Sequence, residues 1–280
     1  MKMDAIAYRP TWRVAAAILV AASRGSLIAI LVLLFFPDLA LGIGSRLGNP
    51  LRLLRAFAGL CLAPAAAAWV LARLSSATVV VDGGMLVVRR RGERAEVPCD
   101  GIDAVVPWAV PLPCAGAWLR LKSGSRFPYG LGVDPIALDD ALTTEHGAPE
   151  RPAAVYARSV LQRHPRWWAR VLAFPVFALI PAAILFRLHQ WVAYGGTFGE
   201  YYMFGLRAYL LGFAVYWATC TVYLVLYAAL LRAVLEPLVW LMARLAPERT
   251  IGFGRAIELV GRILYFAGVP LALLRLFLRS

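Results

Sequence analysis

A run of arginines is the first feature of this chain that could carry a binding function. It lies in VVVDGGMLVVRRRGERAEV, residues 79–97, and its members are Arg89, Arg90, Arg91 and Arg94. Clustered arginines can bind anionic lipid headgroups, at about 1 kcal/mol for each residue near a charged leaflet, or an acidic protein surface. Glu93 and Glu96 lie in the same stretch, so the alternative is an ordinary solvated strand end.

Charged residues in or beside long apolar segments form a second group, which consists of Arg24, Glu236, Glu258 and Arg262. A charge inside a bilayer is costly and usually faces protein or water, so these residues are candidates for a transport path or a subunit contact. Local pairing is the alternative, because Arg232 with Glu236, and Glu258 with Arg262, have the i, i+4 spacing of helical ion pairs. No acidic residue has this spacing to Arg24, so we expect it to pair with Glu236 or Glu258.

The sequence contains few residues for catalysis or metal binding. Its three histidines lack the spacing of metal ligands, and its four cysteines form no Cys-x-x-Cys pair. Cys99 and Cys114 could form a disulfide only in an oxidising compartment. Serine nucleophile elbows, phosphate-binding glycine loops and zincin motifs are absent from the sequence. We therefore expect no metal, no cofactor and no catalytic residues.

The composition indicates an α-helical integral membrane protein. Of the 280 residues, 61% are hydrophobic and 16% are charged, whereas a soluble domain has about 45–50% and about 25%. About 20 apolar residues cross the hydrocarbon, and residues 208–231 form a longer run without any charge. Other spans are expected at 14–36 or 26–43, at 56–73 and at 169–187, and the segment 256–278 is either a fifth span or an in-plane amphipathic helix.

The basic residues indicate where the polar middle of the chain lies. The formal charge is +13, but residues 75–170 contain 12 basic and 10 acidic residues, so most of the excess flanks the apolar segments. This pattern suits arginines at anionic headgroups and argues against nucleic-acid binding. Basic residues edge the polar region, which predicts a cytoplasmic middle domain, with the N-terminus on the same side, in a bacterial inner membrane. Arg46, Arg52 and Arg55 depart from that rule.

The polar region alternates like a series of antiparallel strands. Strands are predicted at 77–82, 85–91, 95–98, 101–106 and 117–123, with turns at Gly83-Gly84 and Gly92-Glu93. A helix is predicted over 134–146, with Asp134 as its N-cap and Pro135 at its first position.

The pattern V-x-D-G-G-x-L-V-V-R-R-R-G-E-R-x-E-V-P-C-x-x-I-D-A-V resembles the bacterial PH-like domains of membrane-anchored proteins. The matching residues are Asp82, Leu86, Val88, Arg89, Val97, Pro98 and Ile102. The resemblance covers the middle region alone, and the Pro-rich stretch 106–117 has no counterpart in the pattern. It implies a small β-barrel closed by a helix, and it implies binding of partners, lipids or other copies rather than catalysis.

These observations predict three parts: a transmembrane hairpin at 1–74, a PH-like β-rich domain at 75–166, and transmembrane helices at 167–280, with four or five spans in total. The favoured function is a non-catalytic accessory or scaffold subunit that docks a protein partner or an anionic lipid surface. A homo-oligomer is the other form of partner that we expect, and nucleic acid is not expected. The alternative is a small membrane transport component or enzyme that uses the charges within the spans.

Overall fold

The computed structural model describes residues 2–35, 49–142, 152–163 and 167–279. The backbone divides into two compact units. The sheet unit consists of Met1–Ser23, Ala63–His164 and Leu235–Leu259, and the helical unit consists of Arg24–Leu62, Pro165–Val234 and Val260–Ser280. Each unit is therefore built from three separate stretches of the chain.

A curled, seven-stranded sheet forms most of the first unit. Its strands are β1 Lys2–Tyr8, β2 Ser76–Asp82, β3 Met85–Arg90, β4 Glu93–Pro98, β5 Ile102–Pro107, β6 Ala117–Leu121 and β7 Gly130–Gly132. The order across the sheet is β4-β3-β2-β1-β7-β6-β5, and all neighbours are antiparallel. Leu86, Val88, Leu119 and Leu131 belong to the aliphatic core that the sheet buries.

The central strand β1 comes from the N-terminus, where no strand is predicted from the sequence. Ala5 lies opposite Ala77 on β2, and Ile6 lies opposite Gly132 on β7. Ala5 and Ala7 face the core, which the alternation of Lys2–Tyr8 allows. The sheet is therefore completed by a strand that lies some seventy residues before its neighbour β2 in the sequence.

The predicted strands of the polar region are confirmed, and two-residue turns connect the first three of them. Gly83 and Gly84 have φ of 55° and 76°, as a hairpin turn with two left-handed residues requires. The second turn consists of Arg91 and Gly92, with φ of 30° and 88°, rather than the predicted Gly92-Glu93. The shift arises because Arg90 and Glu93 form the last pair of the ladder.

A short helix, α4 Pro135–Leu142, follows the sheet and packs against β5. Asp134 caps it as predicted, since its Oδ1 accepts a hydrogen bond from the Ile136 amide at 3.0 Å. The remaining part of the predicted helix, 143–146, lies outside the described residues.

Nine helices are present in the described parts of the chain: α1 Pro10–Phe35, α2 Pro50–Phe57, α3 Ala63–Leu74, α4, α5 Pro152–Gln162, α6 Trp167–Val171, α7 Leu179–Tyr194, α8 Gly199–Leu245 and α9 Thr250–Arg279. Four of the described stretches are long and apolar enough to cross a membrane: Pro10–Leu34, Pro50–Leu74, Trp167–Tyr194 and Gly199–Leu245. Helix α9 covers the segment predicted as a fifth span or an in-plane helix, and it is not one of these four.

Side chains in the helical unit bond to carbonyls that the helices leave open. Pro175 lies within a π-helical turn, Leu172–Val176, that separates α6 from α7. The Trp217 indole donates to the Pro175 carbonyl at 2.7 Å, and the Tyr265 hydroxyl donates to the Ala173 carbonyl at 2.6 Å. The surrounding apolar side chains have no hydrogen-bond donors, so these two bonds supply donors to carbonyls of the irregular turn.

Candidate functional site

The four clustered arginines lie at the end of the β3–β4 hairpin, in residues 89–94, which we call the hairpin tip. Arg89, Arg91 and Arg94 are exposed, whereas Arg90 is only 9% exposed. Inward-facing positions alternate along β3, and Arg90 follows Leu86 and Val88 in that series. The sequence predicts one surface of four arginines, and the structure separates Arg90 from the other three.

Arg90 lies against the first turn of helix α1. Its guanidinium carbon is 5.4 Å from the centre of the Trp12 ring and 5.9 Å from that of Tyr129. Its Nη1 is buried and has no hydrogen-bond partner in the described part of the chain. A buried guanidinium beside two aromatic faces gains cation–π attraction, but it retains an unused donor.

Glu93 connects the hairpin tip to the beginning of α1. Its Oε1 accepts a hydrogen bond from Arg9 Nη2 at 2.8 Å, and its Oε2 accepts one from the Tyr129 hydroxyl at 2.7 Å. The hydrogen bond from Tyr129, together with the charges of Arg9 and Arg90, lowers the pKa of the Glu93 carboxyl. The same bond to Glu93 raises the pKa of Tyr129.

A second group of side chains joins α1 to the opposite face of the sheet, and we call it the junction cluster. It consists of Tyr8, Trp12, Arg13, Ala16, Leu71, Ala72, Trp108, Cys114 and Trp118. The guanidinium carbon of Arg13 lies 4.2 Å from the centre of the Trp108 ring and 5.6 Å from that of Trp118. Arg13 is thus held by two tryptophan rings, one from strand β6 and one from the loop before it.

The Pro-rich stretch 106–117 supplies part of the junction cluster. It forms the end of β5 and the loop to β6, which carries Trp108 and Cys114. Gly116 leaves room for the Trp108 ring, because an added Cβ would lie 2.8 Å from that ring. Burial raises the pKa of the Cys114 thiol to about 12 and raises the pKa of Tyr8.

Glu236 forms an ion pair with a residue that the spacing does not predict. Its carboxylate accepts two hydrogen bonds from Arg163, at 3.1 and 3.2 Å, and a third from the Tyr156 hydroxyl at 3.1 Å. Arg163 is 9% exposed, and its Nε donates to the Ser159 carbonyl at 3.0 Å. The contact ties helix α5 to the last part of α8 within the sheet unit.

The other charged residues of this group are distributed over both units. Arg24 lies in α1 within the candidate span Pro10–Leu34 and belongs to the helical unit, as does Arg262 on α9. Glu258 belongs to the sheet unit. The pairing of Arg24 with Glu236 or Glu258, and that of Glu258 with Arg262, stay predictions.

The sequence does not indicate the contacts of Arg9, Arg13, Tyr129 and Arg163, because their partners lie far away in the chain. The aromatic residues Trp108 and Trp118 next to a Pro-rich loop are the signal that could have indicated a buried cluster. The four cysteines are free thiols. The described residues contain no group of three His, Cys, Asp or Glu side chains that could hold a metal ion.

Comparison with other proteins does not add to these observations. No protein-family model matches the chain, and searches of curated proteins and of solved structures found no match.

Proposed function

We propose that this chain is a multi-pass protein of the bacterial inner membrane whose sheet unit docks on anionic lipid headgroups at the cytoplasmic face. In this role it is a non-catalytic accessory or scaffold subunit. The antiparallel order around β1, with α4 packed against β5, supports a PH-like barrel closed by a helix.

The connectivity supports a sheet unit that stays on one side of the membrane. Two candidate spans separate β1 from its neighbour β2. Arg163 precedes the third candidate span, and its partner Glu236 lies inside the fourth, Gly199–Leu245, after the charge-free run 208–231. An even number of crossings returns the chain to the same side. Both long-range contacts are therefore compatible with four spans.

The observation that carries the lipid proposal is the contact between the hairpin tip and the start of the first candidate span. Arg9 and Trp12 precede or open helix α1, and they contact Glu93 and Arg90 of the tip. If Pro10–Leu34 crosses the bilayer, its first turn lies near the headgroups, and the tip is held at that level. Tryptophan is enriched at this depth, which suits Trp12.

The charges of the tip favour an anionic surface. Arg89 and Arg91 have no acidic partner among the described residues, while Arg94 pairs with Glu96. Glu93 is occupied by Arg9 and Tyr129. The exposed part of the tip therefore presents uncompensated positive charge.

Native mass spectrometry of the intact protein in detergent tests the proposal by comparing retained phosphatidylglycerol with retained phosphatidylcholine. Replacing Arg89, Arg91 and Arg94 by Ala should weaken phosphatidylglycerol binding by up to about a hundredfold, at about 1 kcal/mol per arginine. The matched control replaces the exposed arginines Arg244, Arg249 and Arg255 by Ala. This control variant loses the same three positive charges at positions outside the tip. Equal retention by the tip variant and the unmodified protein, or equal losses in both variants, would overturn the proposal.

A further inference from the structure

The junction cluster contains buried donors that lack acceptors. Arg13 Nε and Trp108 Nε1 of the cluster are buried and have no hydrogen-bond partner among the described residues, and neither has Ser75 Oγ, which follows helix α3 and is not a member of the cluster. Trp108 is 3% exposed and Ser75 is 0% exposed. Buried donors in native proteins almost always have a partner, so this group needs an explanation such as a bound ion or water.

The charge of the cluster favours an anion over water. Arg13 has no acidic partner among the described residues, and its guanidinium lies over the rings of Trp108 and Trp118. Arginine and the tryptophan indole can only donate hydrogen bonds. The Cys114 thiol is protonated at neutral pH, because burial raises its pKa to about 12, so it supplies no negative charge.

The enclosure of the cluster limits the size of its ligand. Trp108 and Tyr8 are 3% and 1% exposed, and Gly116 and Gly130 lie directly against the Trp108 ring. A lipid phosphate or a carboxylate on a partner protein would need an opening that these rings close. A single-atom anion needs less space than either of these groups.

We propose that the junction cluster binds a small monovalent anion of the halide class, with the N–H groups of Arg13 Nε and Trp108 Nε1 as its donors. The ion neutralises Arg13 where α1 meets the sheet, and it is independent of lipid binding at the hairpin tip.

Thermal unfolding of the intact protein in detergent tests this site, with sodium chloride compared with sodium gluconate at equal ionic strength. A ligand that binds only the folded state raises the Tm, and we expect an increase of about 2 °C or more in chloride. Trp108→Phe keeps a ring but removes the donor, so this increase should disappear. Trp118→Phe is the matched control, and it should keep the increase.

Crystals of the unmodified protein grown in sodium bromide give a second readout that does not depend on any variant. An anomalous peak within hydrogen-bond distance of Arg13 Nε and Trp108 Nε1 is the expected result. A water molecule or no density at that position, together with the same Tm in chloride and gluconate, would overturn the proposal.

Discussion

The sheet unit and the helical unit differ in how their buried polar side chains are satisfied. In the helical unit, the fully buried Gln190 makes two hydrogen bonds to Glu200, and Trp217 and Tyr265 bond to open carbonyls. The five buried side-chain atoms without partners, counted over the described residues, all belong to the sheet unit: Arg13 Nε, Ser75 Oγ, Arg90 Nη1, Trp108 Nε1 and Ser159 Oγ.

This difference has a physical reason if the helical unit lies in hydrocarbon. A chain surrounded by lipid has no water to complete its hydrogen bonds, so each polar group must be satisfied within the protein. A unit next to headgroups and water can keep donors for a ligand. Both proposed binding sites accordingly lie in the sheet unit, one at the exposed arginines of the hairpin tip and the other at Arg13.

The largest expected effect concerns the strand that completes the sheet. Ala7 is 0% exposed and faces the aliphatic core, so Ala7→Asp would bury an unpaired charge and should cost more than about 4 kcal/mol. Limited proteolysis in detergent should then cut within 76–132 while the helices remain protected.

Asp4→Ala serves as the matched control, because Asp4 is exposed on the same strand. Its digestion pattern should equal that of the unmodified protein. A protected sheet in Ala7→Asp would mean that β1 is not its central strand.

A smaller loss is expected in the helical unit when a satisfied polar group loses its partner. Gln190→Leu leaves the carboxylate and the amide of Glu200 without the bonds that Gln190 supplies, at 2.6 and 3.1 Å. We expect a loss of about 1–3 kcal/mol, measured as a lower Tm in detergent.

Ser159→Ala, in the sheet unit, removes a buried polar group that has no hydrogen-bond partner among the described residues, in contrast to Gln190→Leu. The Ser159 hydroxyl is 1% exposed and has no partner among the described residues, so its removal deletes no hydrogen bond. The stability should change by no more than about 0.5 kcal/mol or increase. A loss as large as that of Gln190→Leu would contradict the comparison between the two units.

The smallest effect is a local dependence on pH at the hairpin tip. The folded-state pKa of Glu93 is lowered, so its contacts with Tyr129 and Arg9 are fully present above the ordinary pKa of Glu, about 4.3, and are lost as the pH falls through the lowered value. Hydrogen exchange of the tip, corrected for the intrinsic effect of pH, should rise in that range.

Glu93→Gln removes the titrating group and should make tip exchange independent of pH after that correction. An acid-induced rise of the same size in this variant would assign the titration to another residue.

Local features of the sheet could be predicted from the sequence, and long-range ones could not. The Gly83-Gly84 turn and the Asp134 cap depend on neighbouring residues, so their signals are contiguous. Strand β1 is a short, weakly apolar segment that becomes recognisable only through its partners β2 and β7.

The candidate sites follow the same division. The basic character of the hairpin tip is visible in the sequence, but the burial of Arg90 depends on Trp12 and Tyr129 from other elements. Arg163 and Glu236 are 73 positions apart in the chain. Neither this separation nor the residue types distinguish them from the other arginines and glutamates of the sequence.

The depth of the hairpin tip in the membrane tests the central claim most directly. A spin label at Arg91→Cys, in a chain with Cys99→Ser and in nanodiscs, can be compared with one at Asp82→Cys at the other end of the β2–β3–β4 meander, about 20 Å along β3. Nickel-chelating lipid headgroups should relax the label at position 91 strongly and the label at position 82 weakly. Equal, solvent-like relaxation at both positions would contradict a tip held at the headgroups.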